Sequence, residues 1–529
     1  MAIAIDFGTS NTVIARWNQA IQQPETLKLP KLSLISAQNP PLIPSLLYVE
    51  DAIEGKIAIG QEVRDRGLDL NTDSRFFRNF KRGIGTSIQG FLPELDGQIV
   101  TFERIGQLFL NRIISSIRDL PLPIDSLVFT VPVDSFEAYR NWLGKVSASL
   151  QIEQVRMLDE PTAAALGYGL ADREMLLVID FGGGTLDISL VRLDNSAGKK
   201  PLGFILKWGE KLLAESSGQK AKIARVLAKA GQNLGGSDID NWLVDYFFQS
   251  QGLVKSPLTT RLAERLKIQL SLQNKATEVY FNDETFDSYE LGLDRNQFES
   301  ILTEHNFFEN LDECINQVLQ QARRQGIEVD DIDAVLLVGG TVQIPAVQSW
   351  VKKYFDAAKI RCEKPFEAIA QGALQLSQGV EVKDFLYHSY GIRYWNRRDN
   401  CHSWHPLIKS GQAYPMSEPV ELVLGASIEN QPSIELIVGE LGAETGGTEV
   451  YFDGDRLVTR QLSGSASVQA LNDRDGARSI ANLTPPGYPG SDRIKVLFRV
   501  DSQRFLRMTV EDLLTTQTLL EDKPVVQLS

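Results

Sequence analysis

Two short segments of the sequence place an aspartate beside glycines and small hydroxyl residues at a bend between apolar runs. Residues 178–191, VIDFGGGTLDISLV, carry Asp180 and Asp187 on either side of three consecutive glycines. Residues 2–15, AIAIDFGTSNTVIA, carry Asp6 at the equivalent place. A glycine run exposes successive backbone N–H groups, and an anion can approach them closely because no Cβ is present. Both segments therefore predict strand–turn–strand units whose bends bind phosphate.

The aspartates beside these bends indicate a metal ion as well as a phosphate. Carboxylates repel a bare phosphate, but hydrated Mg²⁺ can stand between them, because it keeps most of its waters and accepts one or two carboxylates. The sequence lacks the Gly-x-x-x-x-Gly-Lys-Ser/Thr pattern of a P-loop. Two matching hairpins predict a duplicated fold with a nucleotide between its halves, whereas the alternative is a pair of tight glycine turns without a ligand. The binding groups predicted at the bends are Asp6, Gly8, Thr9, Ser10, Asn11, Gly182, Gly183, Gly184 and Thr185.

A third glycine segment follows a buried-strand pattern later in the chain. Residues 334–345, AVLLVGGTVQIP, are an apolar run that reaches Gly339 and Gly340 before a predicted helix. Such a turn lets the backbone lie close to a flat base or a ribose. The segment therefore predicts a contact with the nucleoside part of the ligand.

One predicted helix, residues 261–273 (RLAERLKIQLSLQ), has a polar face and an apolar face. Glu264, Lys267 and Ser271 recur at helical spacing on the polar face. The opposite face carries Leu262, Leu266 and Leu270. The polar face is either a ligand-binding surface or the solvent side of an ordinary amphipathic helix.

Composition excludes several classes of function. The chain has 529 residues, too many for one hydrophobic core, so two to four domains are expected. Its net charge of -14 disfavours binding to nucleic acid or to an anionic membrane. The three cysteines show no metal or redox spacing, which fits a reducing compartment. With no signal-peptide pattern and no apolar run approaching about 20 residues, we expect a cytoplasmic protein.

The predicted secondary-structure pattern changes near residue 383. Before it, β-rich runs alternate with helical patterns, which predicts α/β architecture; after it, alternating strand patterns predict an all-β domain. The stretch 193–222 is polar and is expected to be a loop or insertion. The predicted strands are 2–6, 11–17, 127–131, 176–180, 186–192, 334–338, 433–438, 493–500 and 505–510, and the predicted helices are 104–118, 135–150 and 261–273.

These segments, in this order, resemble the nucleotide-binding domain of the 70-kilodalton heat-shock (DnaK-like) chaperones, in the actin and sugar-kinase superfamily. Further matching segments are FKRGIG (80–85), VFTVP (128–132), LDEPTAAALGYGL (158–170) and NLGGSDID (233–240). The resemblance covers residues 1–383. It implies a two-lobed actin-like ATPase domain, a linker at 384–392, and a β-sandwich at 393–529 without the helical lid of ordinary members.

The resemblance also implies a role for each matching residue. The catalytic residues would be Lys81, Glu160, Asp180, Thr185 and Asp187, and the residues holding hydrated Mg²⁺ would be Asp6, Asp180 and Asp187. ATP or ADP would further contact Gly235, Gly236, Glu264, Lys267, Ser271, Gly339, Gly340 and Gln343. Interdomain coupling would use Pro132 and Arg140, and peptide binding would use Ile434 and Leu436, for which ordinary sandwich core is the alternative.

The sequence departs from the family pattern at three places. Gln343 replaces an arginine that lies near the adenine, and Phe366 replaces an acid. An amide stacks on a base less well than a guanidinium does, so weaker or less selective nucleotide binding is expected. The linker departs from the family's aliphatic run, because Tyr387 and His388 interrupt it.

The sequence thus predicts an ATP-hydrolysing chaperone-like protein whose sandwich binds extended apolar segments of unfolded proteins. Co-chaperones and a nucleotide exchange factor are the other partners that the resemblance implies. Two alternatives remain at this stage: a nucleotide-gated scaffold with little turnover, and a small-molecule kinase of the same superfamily.

Overall fold

The structure is a computed structural model of the chain. It describes residues 1–86, 88–90, 92–120, 124–132, 136–148, 150, 152, 154–169, 175–193, 204–208, 211–212, 224–282, 285–377, 384–385, 389–396, 401–408, 413–416, 418–441, 448–453, 456–461, 468–473, 478–501 and 505–528. In that part of the chain, no helix is both long enough and apolar enough to cross a bilayer.

The first third of the chain forms one large mixed sheet, a three-stranded sheet and a two-stranded hairpin, and it contributes one short strand that pairs with residues 449–450. Its strands are β1 (Ala2–Phe7), β2 (Asn11–Asn18), β3 (Gln23–Thr26), β4 (Ile43–Pro44), β5 (Leu46–Asp51), β6 (Lys56–Ile59), β7 (Phe76–Arg78), β8 (Ile88–Gln89), β9 (Glu94–Leu95), β10 (Gln98–Ile99), β11 (Ser126–Val131) and β12 (Gln154–Asp159). Its helices are α1 (Gln61–Asp65), α2 (Phe102–Arg118), α3 (Phe136–Ala148) and α4 (Glu160–Gly167), and a 3-10 turn spans Phe80–Gly83.

The second third builds another mixed sheet with helices packed on it. Its strands are β13 (Met175–Phe181), β14 (Leu186–Leu193), β15 (Phe204–Trp208), β16 (Lys211–Leu212), β17 (Ala224–Gln232), β18 (Lys275–Phe281), β19 (Ser288–Asp294), β20 (Ala334–Val338) and β21 (Ile360–Arg361). Its helices are α5 (Gly236–Gln251), α6 (Pro257–Leu272), α7 (Arg295–Glu304), α8 (Phe307–Arg323), α9 (Pro345–Val351) and α10 (Ala368–Ala373). Short 3-10 turns span Val329–Asp331, Gly340–Gln343, Ala357–Lys359 and Leu374–Ser377.

From residue 384 onward, the described elements are all strands. They are β22 (Asp384–Phe385), β23 (Ser389–Asn396), β24 (Cys401–Ile408), β25 (Ala413–Tyr414), β26 (Val420–Gly425), β27 (Gln431–Leu436), β28 (Val438–Leu441), β29 (Thr448–Asp453), β30 (Arg456–Gln461), β31 (Val468–Ala470), β32 (Ser479–Gly487), β33 (Asp492–Val500), β34 (Phe505–Asp512) and β35 (Thr518–Gln527).

The two large sheets repeat one strand pattern. In the first, the order β3-β2-β1-β11-β12 surrounds the β1–β2 hairpin; in the second, the order β17-β14-β13-β20-β21 surrounds the β13–β14 hairpin. In each sheet the first hairpin strand pairs antiparallel with its partner and parallel with the strand on its other side. Asp180 and Asp187 are direct partners in the second hairpin. The duplication predicted from the two glycine bends is therefore present at the level of sheet topology.

Small residues between the sheets let two helices approach closely. Helices α4 and α10 share a buried cluster with apolar residues of both sheets. A Cβ on Gly167 would lie 1.9 Å from the Ala368 carbonyl oxygen, and one on Gly372 would lie 1.9 Å from that of Ala163. The run of alanines and glycines in residues 158–170 thus places α4 against α10 and fixes Glu160 at the start of α4.

The C-terminal strands enclose a core of their own. Ile494, Val496, Phe498 and Val500 alternate inward on β33, as the sequence predicts, and all four are fully buried. The core of this strand-rich region includes Ile434 and Leu436, at 7% and 0% exposure.

Two segments differ from the sequence expectations. Part of 193–222, expected to be a loop or an insertion, is not a loop: it forms β15, which pairs antiparallel with β12 and extends the first sheet. The predicted linker ends at 392, whereas β23 begins at Ser389 and pairs with β24 and β28. In both cases a strand is completed by partners distant in sequence, which local patterns do not reveal. Residues 378–383 and 386–388 lie outside the described residues.

Candidate nucleotide site

One cavity of about 220 Å³ brings together most of the predicted site residues. The three glycine segments and helix α6 contribute to its wall, together with the 3-10 turn at Phe80–Gly83 and the first residue of α4. The predicted residues that line it are Asp6, Gly8, Thr9, Ser10, Asn11, Lys81, Glu160, Asp180, Gly182, Gly183, Gly184, Thr185, Gly236, Glu264, Lys267, Ser271, Gly339, Gly340 and Gln343. Residues from both large sheets thus face one shared space.

Glycine is needed at the second bend because the first bend touches it. A Cβ built on Gly183 would lie 1.8 Å from the Ser10 hydroxyl oxygen, and one on Gly184 would lie 2.6 Å from that of Thr9. By contrast, a Cβ on Gly182 would have no neighbour closer than 4.0 Å. The two hairpin bends therefore interlock, and a side chain at Gly183 would separate them.

The carbonyl groups of the GGG run are bonded to neighbouring loops. The Gly182 carbonyl accepts from the Gly236 N–H at 3.1 Å and from the Thr341 hydroxyl at 2.8 Å. The Gly183 carbonyl accepts from the Ser237 N–H at 2.9 Å. In a trans peptide the N–H points opposite to the carbonyl, so these bonds turn the N–H groups of Gly183 and Gly184 away from the α5 loop.

A buried ion pair joins Lys81 to Glu160. The Lys81 Nζ lies 3.0 Å from the Glu160 Oε1, and the ring centroids of Phe7 and Tyr139 lie 5.9 and 5.8 Å from the same nitrogen. Burial by itself lowers the pKa of Lys81, but Glu160, Tyr139 and Asp6 together outweigh burial, and the pKa is raised. Lys81 therefore stays a cation, held in place by a carboxylate and two rings.

Asp6 on β1 and Asp180 on β13 line the same cavity as this ion pair. Burial, followed by repulsion from Glu160, raises the pKa of Asp6 to about 6, and the Thr130 hydroxyl donates to Asp6 Oδ1 at 2.7 Å. Burial raises the pKa of Asp180 well above its ordinary value, and Glu160, Asp187 and Asp6 add to the rise. Several carboxyl groups confined in one buried place favour a bound cation, because a cation would relieve their repulsion.

Asp187 and Gly235 do not line the main cavity. Asp187 lines a smaller cavity of about 20 Å³, with Glu160, Asp180 and Pro132. Gly235 packs behind the GGG run, since a Cβ there would lie 2.5 Å from the Gly183 carbonyl. No group of three or more His, Cys, Asp or Glu close enough to ligate a metal directly occurs among the described residues.

Arg82 is a site residue that sequence reasoning missed. Its guanidinium is 3% exposed, donates to the Gly184 carbonyl, and bonds Asp238 Oδ2 at 2.6 Å. Asp238 also accepts from the Gly235 N–H at 2.8 Å. Arg82 therefore ties the turn that carries Lys81 to the glycine loops of the second sheet. Its position directly after Lys81 in the sequence is the signal that could have identified it.

The charged residues on the polar face of α6 already have protein partners. Glu264 Oε2 accepts from Arg64 Nη2 at 2.7 Å. Lys267 Nζ lies 2.7 Å from Asp240 Oδ1 and donates to the Gly236 carbonyl at 2.7 Å. The polar face is thus turned inward to the cavity, while Leu262, Leu266 and Leu270 are buried as predicted.

Further ion pairs connect the part of the chain around α1 with α6. Arg261 Nη1 lies 3.2 Å from Asp69 Oδ1, and Asp69 is 4% exposed. Together with the bond from Arg64 to Glu264, this contact joins segments that lie 192 and 200 residues apart in sequence. Neither Arg261 nor Asp69 lines the cavity itself.

The remaining predicted residues lie elsewhere. Pro132 lines the small cavity beside Asp187, and the side chain of Arg140 lies outside the described residues. Ile434 and Leu436 belong to the core of the C-terminal strand-rich region, so their assignment to a peptide groove stays a prediction.

Comparison with known families agrees with this arrangement. A family described as Hsp70 protein matches residues 92–199 and 221–390, more than half of the chain. The matched residues include Glu160, the second glycine bend, helix α6 and the third glycine segment. Members of this family bind ATP or ADP through an actin-like ATPase domain. The chain belongs to the Hsp70 protein family.

Proposed function

We propose that the chain binds and hydrolyses ATP in the main cavity, held between the two lobes of an actin-like domain, and couples this to binding of extended apolar peptide by the sandwich. The convergence of both hairpin bends, Lys81 and Glu160 on one cavity is the observation that carries the proposal. A duplicated pair of anion-binding bends suits a triphosphate, since each bend can face a different part of the phosphate chain.

Positioning and charge neutralisation would do most of the catalytic work. Phosphoryl transfer needs an aligned nucleophile and compensation of the charge on the phosphate oxygens, and little covalent chemistry from the protein. Lys81, fixed by Glu160, would place a cation beside the γ-phosphate. Glu160 would hold that lysine and help orient the attacking water. The backbone N–H groups of Gly183 and Gly184 and the hydroxyls of Thr9 and Thr185 would hold the phosphate oxygens.

Mg²⁺ fits the acidic side of the cavity through its water shell. Asp6 and Asp180 line the same cavity and carry raised pKa values, the condition that a bound cation relieves. When bound, Mg²⁺ would supply charge compensation for the phosphates. Asp6, Asp180 and Asp187 would hold the ion through its waters.

The edge of the sandwich supports the peptide-binding part of the proposal. Strand β26 is the end strand of the sheet β26-β33-β34-β35, and its other side has no described strand partner. Val423 on this strand and Ile428 after it are 37% and 62% exposed. An extended peptide can add to such an edge through backbone hydrogen bonds and place apolar side chains against these residues.

Steady-state ATPase assays with and without an unfolded apolar peptide test this function. Basal phosphate release that rises with peptide, and is lost in Asp180→Asn, is the expected result. Phosphate release that does not change when peptide is added would contradict coupling between the domains. Nucleotide binding without phosphate release in either condition would contradict hydrolysis and favour a nucleotide-gated scaffold, which the replaced residues Gln343 and Phe366 keep as the second candidate.

A further inference from the structure

A hairpin of the C-terminal strand-rich region forms one sheet with a strand from the first third of the chain. Strands β29 and β30 pair antiparallel with each other, and β29 also pairs in parallel with β8. The register sets Ile88 opposite Glu449 and Gln89 opposite Val450. Among the described strands, this three-stranded sheet is the one that contains residues from both of these regions. We call the pairing of β29 with β8 the strand clip.

The predicted linker makes a different set of contacts. Its described residues include β22, which pairs antiparallel with β25 inside the C-terminal region. In that pairing Asp384 lies opposite Tyr414, and Phe385 lies opposite Ala413. The linker and the strand clip are therefore separate connections, because the linker joins the regions along the chain and the clip joins them through space.

Strand β8 lies shortly after the 3-10 turn that carries Lys81. Hydrogen bonds run along the segment between them: the Ile84 N–H donates to the Lys81 carbonyl at 3.2 Å, and the Thr86 hydroxyl donates to the Gly83 carbonyl at 2.9 Å. A displacement of β8 would therefore reach the Lys81 turn through a short, hydrogen-bonded segment. The strand clip is thus attached to the part of the chain that places a cation in the cavity wall.

The strand clip is short enough to open while both regions stay folded. Its ladder pairs two residues of β8 with two of β29. Each backbone hydrogen bond in such a ladder contributes only about 0.5–1.5 kcal/mol net. Contacts of this size open locally far more often than a whole region unfolds. The clip therefore has the properties of a reversible contact between the two regions.

We propose that the C-terminal region holds the Lys81 turn through the strand clip, so that opening of the clip loosens that turn. The route runs through the pairing of β8 with β29 and does not use the predicted linker. Formation of the clip and its hold on the turn are independent of nucleotide. Its effect on hydrolysis rests on the proposed function, in which Lys81 lies beside the γ-phosphate.

Disulfide trapping in the full-length chain tests whether the clip forms. Neighbouring strands lie about 4.8 Å apart, so a disulfide can bridge directly paired positions. Ile88→Cys with Glu449→Cys should form an intrachain disulfide on mild oxidation, in a Cys401→Ser background that removes the exposed native thiol. Ile88→Cys with Arg460→Cys is the matched control, since Arg460 pairs with Glu449 from β30, on the far side of β29 from β8. Equal yields from the two pairs, or no disulfide in the first, would overturn the proposal.

Hydrogen exchange tests whether the clip holds the turn. The N–H groups of Arg82, Ile84 and Gly85 are hydrogen-bonded within the turn or to α2. Replacement of residues 448–461 by a Gly/Ser segment of equal length should raise their exchange rates by about 3- to 10-fold, because the turn would open more often. The Leu34 N–H, bonded elsewhere in the same third of the chain, is the internal control and should not change. Unchanged exchange in the turn, or an equal rise at Leu34, would contradict the proposed hold.

Single-turnover phosphate release connects the clip with the proposed function. The replacement of residues 448–461 should slow release by about 3- to 10-fold. Ile88→Pro with Gln89→Pro, which removes both backbone donors of β8, should slow it to the same extent, and the combined variant should add little because all of these changes open one contact. Fully additive effects would contradict a shared route. No phosphate release from the unaltered chain would remove the proposed hydrolysis, while the disulfide and exchange results would still decide the inference.

Discussion

Lys81 and Glu160 are 79 residues apart in sequence, yet their side chains meet at 3.0 Å in the wall of the cavity. The lysine lies in the 3-10 turn Phe80–Gly83, and the glutamate is the first residue of α4. The pairing holds a permanent positive charge in a place that burial alone would make costly for it. Its location beside Asp6 and Asp180 is what links the pair to phosphate chemistry.

The Lys81→Met variant should lose ATP hydrolysis while it still binds nucleotide. Removal of a fixed cation at developing charge costs about 100-fold in rate or more, whereas the glycine bends still hold the phosphates. Single-turnover phosphate release and equilibrium nucleotide binding, measured separately, check this. Lys145→Met, which alters an exposed lysine on α3, is the control and should retain the rate. Hydrolysis at the unaltered rate in Lys81→Met would remove this residue from the reaction.

Neighbouring glycines in the GGG run should respond differently to the same added methyl group. Gly183→Ala should clash with Ser10 and weaken nucleotide binding by about tenfold or more, whereas Gly182→Ala has room and should leave binding intact. Calorimetric titration with ATP distinguishes them. The double variant Gly183→Ala with Ser10→Gly should regain part of the affinity, because both close contacts are removed. Equal behaviour of the two single variants would mean that the bends do not interlock.

Loss of the ion pair between Asp69 and Arg261 should speed nucleotide release. Neither residue lines the cavity. An effect on nucleotide release would therefore come from the lost connection between Asp69 and α6, which would let the cavity open more often. Asp69→Asn and Arg261→Gln should each raise the dissociation rate several-fold, about 3- to 10-fold, and the double variant should add little. Stopped-flow chase of a fluorescent nucleotide measures this. The matched control is Glu62→Gln, which breaks an ion pair with Arg66 only four residues away in sequence. Fully additive effects of Asp69→Asn and Arg261→Gln would contradict a shared contact.

The C-terminal strand-rich region should lose stability in acid through Asp512. Its two oxygens accept from Arg493 at 2.9 and 2.8 Å, and the pair is buried. The bonds from Arg493 outweigh burial and lower the pKa of Asp512 from its ordinary value to about 2. Because the folded pKa lies below the unfolded one, the stabilisation is complete above about pH 4 and disappears as the pH falls toward 2.

Comparison of Asp512→Asn with the unaltered chain isolates this contribution. The variant should lower the free energy of unfolding of the sandwich by about 2 kcal/mol at pH 7, and the difference should shrink as the pH falls from 4 to 2. Denaturant unfolding at several pH values measures it. Asp492→Asn, at an exposed position on β33, should show no such pH-dependent difference. A constant gap across the pH range would exclude the ionisation of Asp512 as its cause.

Local sequence patterns predicted the glycine bends, the α6 faces and the alternation on β33 because each depends on neighbours within a few residues. The start of α6 was placed four residues late, at 261, since the helix begins at Pro257 after the Ser256 cap, outside the apolar repeat. Arg82, Arg64 and Asp69 were missed because their partners lie far along the chain. Surface arginines and aspartates are common, and only the folded contacts distinguish these three.

The position of α10 between the sheets has a consequence for the order of assembly. The core of the first sheet uses residues from Ile3 to Met157, so that unit can condense early during synthesis. The cluster that joins the sheets contains both Ala4 and Ala370, so it cannot form before residue 370 has been synthesised. The close packing of α4 against α10 likewise requires α10, which comes late in this region. Until α10 emerges from the ribosome, the alanine-rich side of α4 stays uncovered, and a nascent chain of this protein exposes an apolar surface that only its own later residues can bury.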